Sequence, residues 1–248
     1  MAEEIETEEG FQDRIEQISD YVEQNQTMVI GASVAVLAIV LAVIYVFVQY
    51  LPTENLKAQK EVYMAQFAFA KDSFNLALNG NPAYKGFATI ATKYKWTKTG
   101  NLANYYAGIC CLNLKKYPEA IAYLDKFSSN DAIVGAVKLS ATGDAYAESN
   151  QFDKAITYYE KAANFSDNQT YTPYFLFKTG LAYERAKKYA DAKKQYEKIR
   201  DQYPLSEEGR DIEKYIARAS AGGVYFNVVL KKFTREMKIS LFLFSKEP

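Results

Sequence analysis

The chain of 248 residues contains two cysteines and no histidine, and this inventory limits its chemistry from the outset. Without imidazole, His-ligated metal chemistry is excluded, and the usual general base and activator of Ser or Cys nucleophiles is missing. Cys110 and Cys111 are adjacent, so they form no Cys-x-x-Cys redox pair, and a disulfide between neighbours would strain the backbone. Both read as buried structural thiols, with redox sensing as the alternative. Walker-type GxxxxGKS or GxxxxGKT, GxGxxG and GxSxG turns do not occur. The carboxylate pairs Glu207 with Glu208 and Asp72 with Glu61 read as solvated helix ends and faces. Three glycosylation sequons, at Asn25, Asn164 and Asn168, carry little weight in an Asn-rich chain. No catalytic residue, cofactor or metal site is expected, so the chain reads as a binding or structural protein and not as an enzyme.

The elements that would position a binding surface are set by a repeat. Gly108, Gly143 and Gly180 each stand twelve residues before an alanine, Ala120, Ala155 and Ala192, and the pairs recur every 35 to 37 residues. Four residues past each alanine comes Leu124, Tyr159 or Tyr196, and seven past it Phe127, Ala162 or Ile199. Small residues mark close helix contacts and large ones fill the space beside them. Gly143-x-x-Tyr146 with Ala155-x-x-x-Tyr159-x-x-Ala162, and Gly180-x-x-Tyr183 with Ala192-x-x-x-Tyr196 closed by Tyr203-Pro204, resemble the tetratricopeptide repeat. The unit at Gly108 departs in carrying Cys111 where the others have Tyr146 and Tyr183.

Three such units span 101–205. Upstream, Ala83, Phe87, Ile90 and Tyr94 reproduce the second-helix spacing 37 residues before Ala120, with Lys71 where the glycine should be. Residues 53–100 therefore read as a degenerate N-terminal repeat. Ile212, Tyr215, Ile216 and Ala219 share a helical face, making 206–221 a capping helix. The expected fold class is all-α: a transmembrane helix followed by a TPR-like α-solenoid of helical hairpins.

The transmembrane helix is read at 28–51, where no charge occurs between Glu23 and Glu54 and Pro52 with Thr53 closes the segment. At about 1.5 Å per residue such a run crosses a hydrocarbon core of roughly 30 Å. The preceding segment, 1–27, carries nine carboxylates against Arg14 alone and is no signal-peptide leader. Within it Phe11, Ile15, Ile18 and Val22 form one apolar stripe on a short amphipathic helix. That stripe docks on a basic protein partner or lies at the membrane surface. The rest of the chain has a dilute basic surplus without an arginine-rich stripe, which excludes a nucleic-acid footprint.

A positive-inside count, Lys57 and Lys60 after the span against Arg14 before it, points to a cytoplasmic C-terminus. The order of polar N-terminus, single span and repeat domain is similar to bacterial single-span TPR proteins, and the segment from Thr97 to Gly108 looks like the Bacteroidetes versions. That resemblance implies an inner-membrane protein whose repeats face the periplasm and associate with the Sec translocon and its chaperones.

In an array of hairpins the first helices line a concave groove. Family groove positions, carried over by offset from each glycine, are Leu102, Tyr105, Ile109, Leu112 and Asn113 in the first full unit. They are Ser140, Asp144, Ala147 and Glu148 in the next, and Tyr174, Phe177, Leu181, Glu184 and Arg185 in the last. This lining lacks a basic clamp for a C-terminal carboxylate and suits a protein or peptide segment with apolar anchors and some positive charge. Alternatively the groove is closed by an N-terminal helix from Leu56 to Leu78, or by self-association. Residues 222–248 break the pattern and read as a hairpin, an interfacial helix or a poorly ordered extension. Two function classes remain: a membrane-anchored scaffold for protein clients, and a structural subunit of a fixed membrane complex.

Overall fold

The computed structural model describes residues 2–165 and 167–222, and they divide into two compact units, Met1–Leu56 and Lys57–Pro248. Among the described residues the chain is all-α apart from one tiny hairpin. The atypical tail lies, from residue 223 on, outside the described residues.

The first unit holds α1 (Ala2–Gln24) and α2 (Gln26–Tyr45), separated by a turn at Asn25. The stripe Phe11, Ile15, Ile18 and Val22 on α1 is exposed. No residue of α2 is buried, and its Ile, Leu and Val side chains point outward all round. This helix is long and apolar enough to cross a membrane. It does not stop at Pro52. Val46–Tyr50 forms a π turn, α3 (Leu51–Ala70) follows directly, and the helix is continuous from Gln26 to Ala70. A proline in a helix lacks a donor and crowds the carbonyl four residues back. The wider π turn lies where that crowding would fall, and Thr53 Oγ1 donates to the Gln49 carbonyl at 2.7 Å.

The second unit is the array of hairpins. After α3 come α4 (Phe74–Asn79), strands β1 (Gly80–Asn81) and β2 (Tyr84–Lys85), and α5 (Phe87–Lys93). The hairpins α6 (Lys98–Asn113) with α7 (Tyr117–Lys126), α8 (Ala132–Glu148) with α9 (Phe152–Phe165), and α10 (Tyr171–Arg185) with α11 (Tyr189–Gln202) follow. Each first helix ends in the same left-handed turn, at Asp72, Lys115, Asn150 and Lys187. The turns are closed by six-to-one bonds such as Lys116 N–H to the Cys111 carbonyl (2.8 Å) and Gln151 N–H to the Tyr146 carbonyl (2.8 Å).

These turns correct the register of the degenerate N-terminal repeat. In the regular hairpins the frame glycine lies seven residues before the left-handed residue, and the same offset from Asp72 reaches the fully buried Ala65, not Lys71. Lys71 lies in the turn itself. Ala83 is not helical either: Gly80 (φ 75°) and Pro82 break the second helix, and Asn81 Oδ1 accepts from Ala83 N–H (2.9 Å) and Tyr84 N–H (3.1 Å). The hairpin splits that helix into α4 and α5, while Phe87, Ile90 and Tyr94 keep their buried positions. Likewise no single helix runs from Leu56 to Leu78, since Leu78 belongs to α4.

The steric role of the frame glycine is more direct than helix approach alone. A Cβ on Gly143 would lie 2.6 Å from Tyr159 Cε1, one on Gly180 2.3 Å from Tyr196 Cε1, and one on Gly108 2.7 Å from Leu124 Cγ. Each glycine is therefore the seat of the large residue sixteen positions later. At the far end the cap is two pieces, α12 (Glu207–Arg210) and α13 (Ile212–Ser220), with Ile212, Ile216 and Ala219 buried against the last core cluster. Cys110 and Cys111 are buried free thiols. Burial pushes Cys110 up to about 12 and Cys111 to about 11, which keeps both protonated.

Candidate partner-binding groove

The candidate positions lie on α6, α8 and α10, and the structure sorts them by availability. Leu102, Asn113, Glu148, Tyr174 and Arg185 are exposed. Tyr105, Ile109, Leu112, Asp144, Ala147, Phe177, Leu181 and Glu184 are half-buried, and Ser140 is buried. Asn113 Nδ2 donates to the Ile109 carbonyl of its own helix (2.9 Å). The Tyr105 ring packs against Tyr106 and Phe127, with centroids at 5.8 and 5.4 Å. Leu112 packs on the first core cluster.

The centre of the surface is a residue absent from the sequence-derived set. Lys178 Nζ pairs with Asp144 at 2.7 Å, donates to Ser140 Oγ at 3.3 Å, and lies 4.8 Å from the centre of the Tyr174 ring. From the other side Tyr159, the residue seated on Gly143, donates its hydroxyl to Asp144 Oδ1 at 2.6 Å. Burial first, and the Asp144 carboxylate second, push the Tyr159 phenol far above its usual range, so it remains a donor. Helical spacing could have found Lys178, which stands four residues after Tyr174, three before Leu181 and seven before Arg185 on one face.

The network changes the electrostatic reading. Asp144 is neutralised by Lys178, and Glu184 by Arg218 of the cap at 2.7 Å with both side chains largely buried. The remaining exposed charges are one of each sign, Glu148 and Arg185, so the lining does not select positive charge. Nor is Phe177 open: Tyr215 of α13 meets it edge-on at 4.7 Å, and Tyr196 lies 5.9 Å away. Phe177 and Glu184 are thus held by the cap. Ala147, Glu148, Leu181 and Arg185 come together with Phe152 and Tyr159 around a cleft of about 320 Å³. This cleft can hold an apolar side chain flanked by polar groups. Among the described residues no cluster of His, Cys, Asp and Glu is arranged to hold a metal ion.

No curated protein matches the chain. The family model described as Tetratricopeptide repeat matches residues 174–206, which run from α10 through α11 into the turn before α12. A repeat of this kind implies protein–protein interaction, and proteins built from it are typically non-enzymatic scaffolds.

Proposed function

We propose that this protein is a membrane-anchored scaffold that holds protein or peptide segments in the groove of α6, α8 and α10. The observation that carries the reading is the cleft of about 320 Å³ that Ala147 of α8 and Leu181 and Arg185 of α10 form with Phe152 and Tyr159 of α9, with no described residue of the cap in its lining. The apolar helix α2 supplies the anchor. The resemblance to bacterial single-span TPR proteins supports an inner-membrane location, repeats on the periplasmic side, and clients or partners drawn from secretory or envelope proteins, the translocon and periplasmic chaperones among them.

Photo-crosslinkers at Leu102 and Tyr174, with one at the exposed Lys194 of α11 as control, test the groove in cells. Adducts from the first two and none from Lys194 support it, whereas equal labelling from Lys194 sinks it. A single stoichiometric adduct identifies a fixed structural subunit in place of a client scaffold. Protease added outside spheroplasts should cut the repeats, and if residues 53–221 survive intact the periplasmic orientation is wrong.

A further inference from the structure

The helix α1 presents its apolar stripe to solvent, with Phe11 62%, Ile15 47%, Ile18 64% and Val22 39% exposed. These residues follow one another at intervals of four, three and four, the spacing of the a and d positions of a coiled coil over two heptads. At about 100° per residue they share an arc roughly 60° wide. Asp13, Glu16, Asp20 and Glu23, all exposed, are centred roughly 150° away around the same helix. Between Phe11 and Val22 the rims of the stripe are formed by Gln12, Arg14, Ser19 and Tyr21, without a carboxylate. The helix closes at Asn25, whose side-chain amide donates to the Tyr21 carbonyl at 3.0 Å.

This arrangement selects among the occupants the stripe could take. A basic protein that covered the stripe would meet its neutral rims, while the carboxylates that should attract it face the other way. The membrane surface fits no better, because interfacial helices carry lysine and arginine beside their apolar face and α1 offers Arg14 alone. A second copy of the chain fits. Two stripes bury one another, and the β-branched Ile15 and Val22 at the a positions favour a parallel, two-stranded coil. In that register Arg14 of one copy lies across from Ser19 of the other, so no like charges meet at the seam. The carboxylates of the two copies stay on the outer faces, two helix diameters or roughly 20 Å apart. Charges in solution are screened beyond about 8 Å at physiological ionic strength, so the acidic faces oppose the pairing only weakly.

We propose that α1 pairs in parallel with α1 of a second copy of this chain. Two heptads are too short to hold a stable pair free in water, and the anchor α2 supplies what length does not. It holds both copies in one plane, pointing the same way, and raises their effective concentration. The inference therefore rests on the membrane anchorage proposed above.

Full-length chains carrying one of two epitope tags are co-expressed, with single cysteines on the stripe (Ile15→Cys, Ile18→Cys or Val22→Cys) or on the acidic face (Asp13→Cys, Glu16→Cys or Asp20→Cys). Cys110 and Cys111 are buried, so the parent chain sets the background. On oxidation with copper phenanthroline in isolated membranes, the stripe cysteines should give several-fold more of a disulfide-linked species bearing both tags than the acidic-face cysteines. Ile18→Glu added to Val22→Cys should return its yield to the parent level. Equal yields on both faces mark random collision and overturn the pairing. So does a stripe cysteine that stays unlinked, or that links to another protein or elsewhere in its own chain. Alkaline carbonate extraction of the same membranes reads the anchor separately. If the chain is released, the anchorage falls and the pairing with it. If the chain stays and the two faces link equally, the pairing alone falls.

Discussion

In the hairpin α6–α7 the seat at Gly108 is taken by Leu124, and the interior beside it is apolar, with Cys110 and Cys111 fully covered. In α8–α9 the seat at Gly143 is taken by Tyr159, whose hydroxyl crosses to Asp144 and through it to Lys178 of the next hairpin. The backbone geometry is the same, down to the left-handed turns at Lys115 and Asn150. The glycine decides that the second helix can close on the first. The residue seated on it decides whether the core is sealed from the groove or linked to it. Only in the second case does one residue serve both the packing of its own hairpin and the charge balance of the surface beside it.

The largest effects should come from filling the seats. Gly143→Leu and Gly180→Leu put side-chain atoms where a tyrosine ring already stands, and each should lose about 3 kcal/mol in urea unfolding, at the upper end of ordinary overpacking. Gly108→Ala meets a leucine, which can turn aside more easily than a ring, and should lose about 1 kcal/mol. If Gly108 proves the most sensitive position, the distinction between the two kinds of seat is wrong. Phe177→Ala falls between these values, at about 2 kcal/mol, because the ring is clamped between Tyr196 and Tyr215. Tyr174→Ala, on the same helix but exposed, should stay within roughly 0.5 kcal/mol. Equal loss in both would return Phe177 to the groove.

This ordering shows what could be read before the fold was known. The glycine, alanine and aromatic frame was legible because it is steric and periodic, and the cap was legible because Ile212, Ile216 and Ala219 keep helical spacing. The hairpin at Gly80–Lys85 was not, since Phe87, Ile90 and Tyr94 hold their spacing whether or not the helix before them is broken. The cover over Phe177 is hidden for another reason: an offset along one helix does not reveal which neighbour packs on it. The pairing of Asp144 and Glu184 was hidden likewise, because their partners Lys178 and Arg218 come from other helices.

Smaller effects test the linkage itself. Lys178→Met leaves Asp144 with the Tyr159 hydroxyl alone and should lose about 1–2 kcal/mol, as expected for a charged hydrogen-bonded pair that is partly open to water. A double-mutant cycle with Asp144→Asn should return a coupling of at least about 0.5 kcal/mol. Tyr159→Phe should lose about 1 kcal/mol. Tyr196→Phe should change little. The Tyr196 hydroxyl faces the Glu184 and Arg218 pair but makes no hydrogen bond of ordinary geometry. If both phenylalanines behave alike, the Tyr159 hydroxyl is a passenger and the core is sealed from the groove in every hairpin.

The smallest effect lies in the first repeat, where charge is handled at the surface and not through a seated residue. Glu61 on α3 pairs with Lys85 at 2.8 Å and Lys93 at 2.9 Å. Burial alone would raise its pKa, but the hydrogen bonds from the two lysines outweigh burial and hold the carboxyl at about 2, against an ordinary 4.5. A depressed pKa in the folded state means that the pair stabilises the fold above about pH 4.5 and that this contribution is lost as pH falls toward 2. The carboxylate is about a third exposed, so screening keeps the contribution small, and it is best read as a slope. Glu61→Gln should flatten the stability curve between pH 4.5 and 2 while leaving the profile above pH 5 parallel to that of the parent. Added salt should shrink the difference between the two proteins. An unchanged acid slope in Glu61→Gln would remove the pair from the acid response.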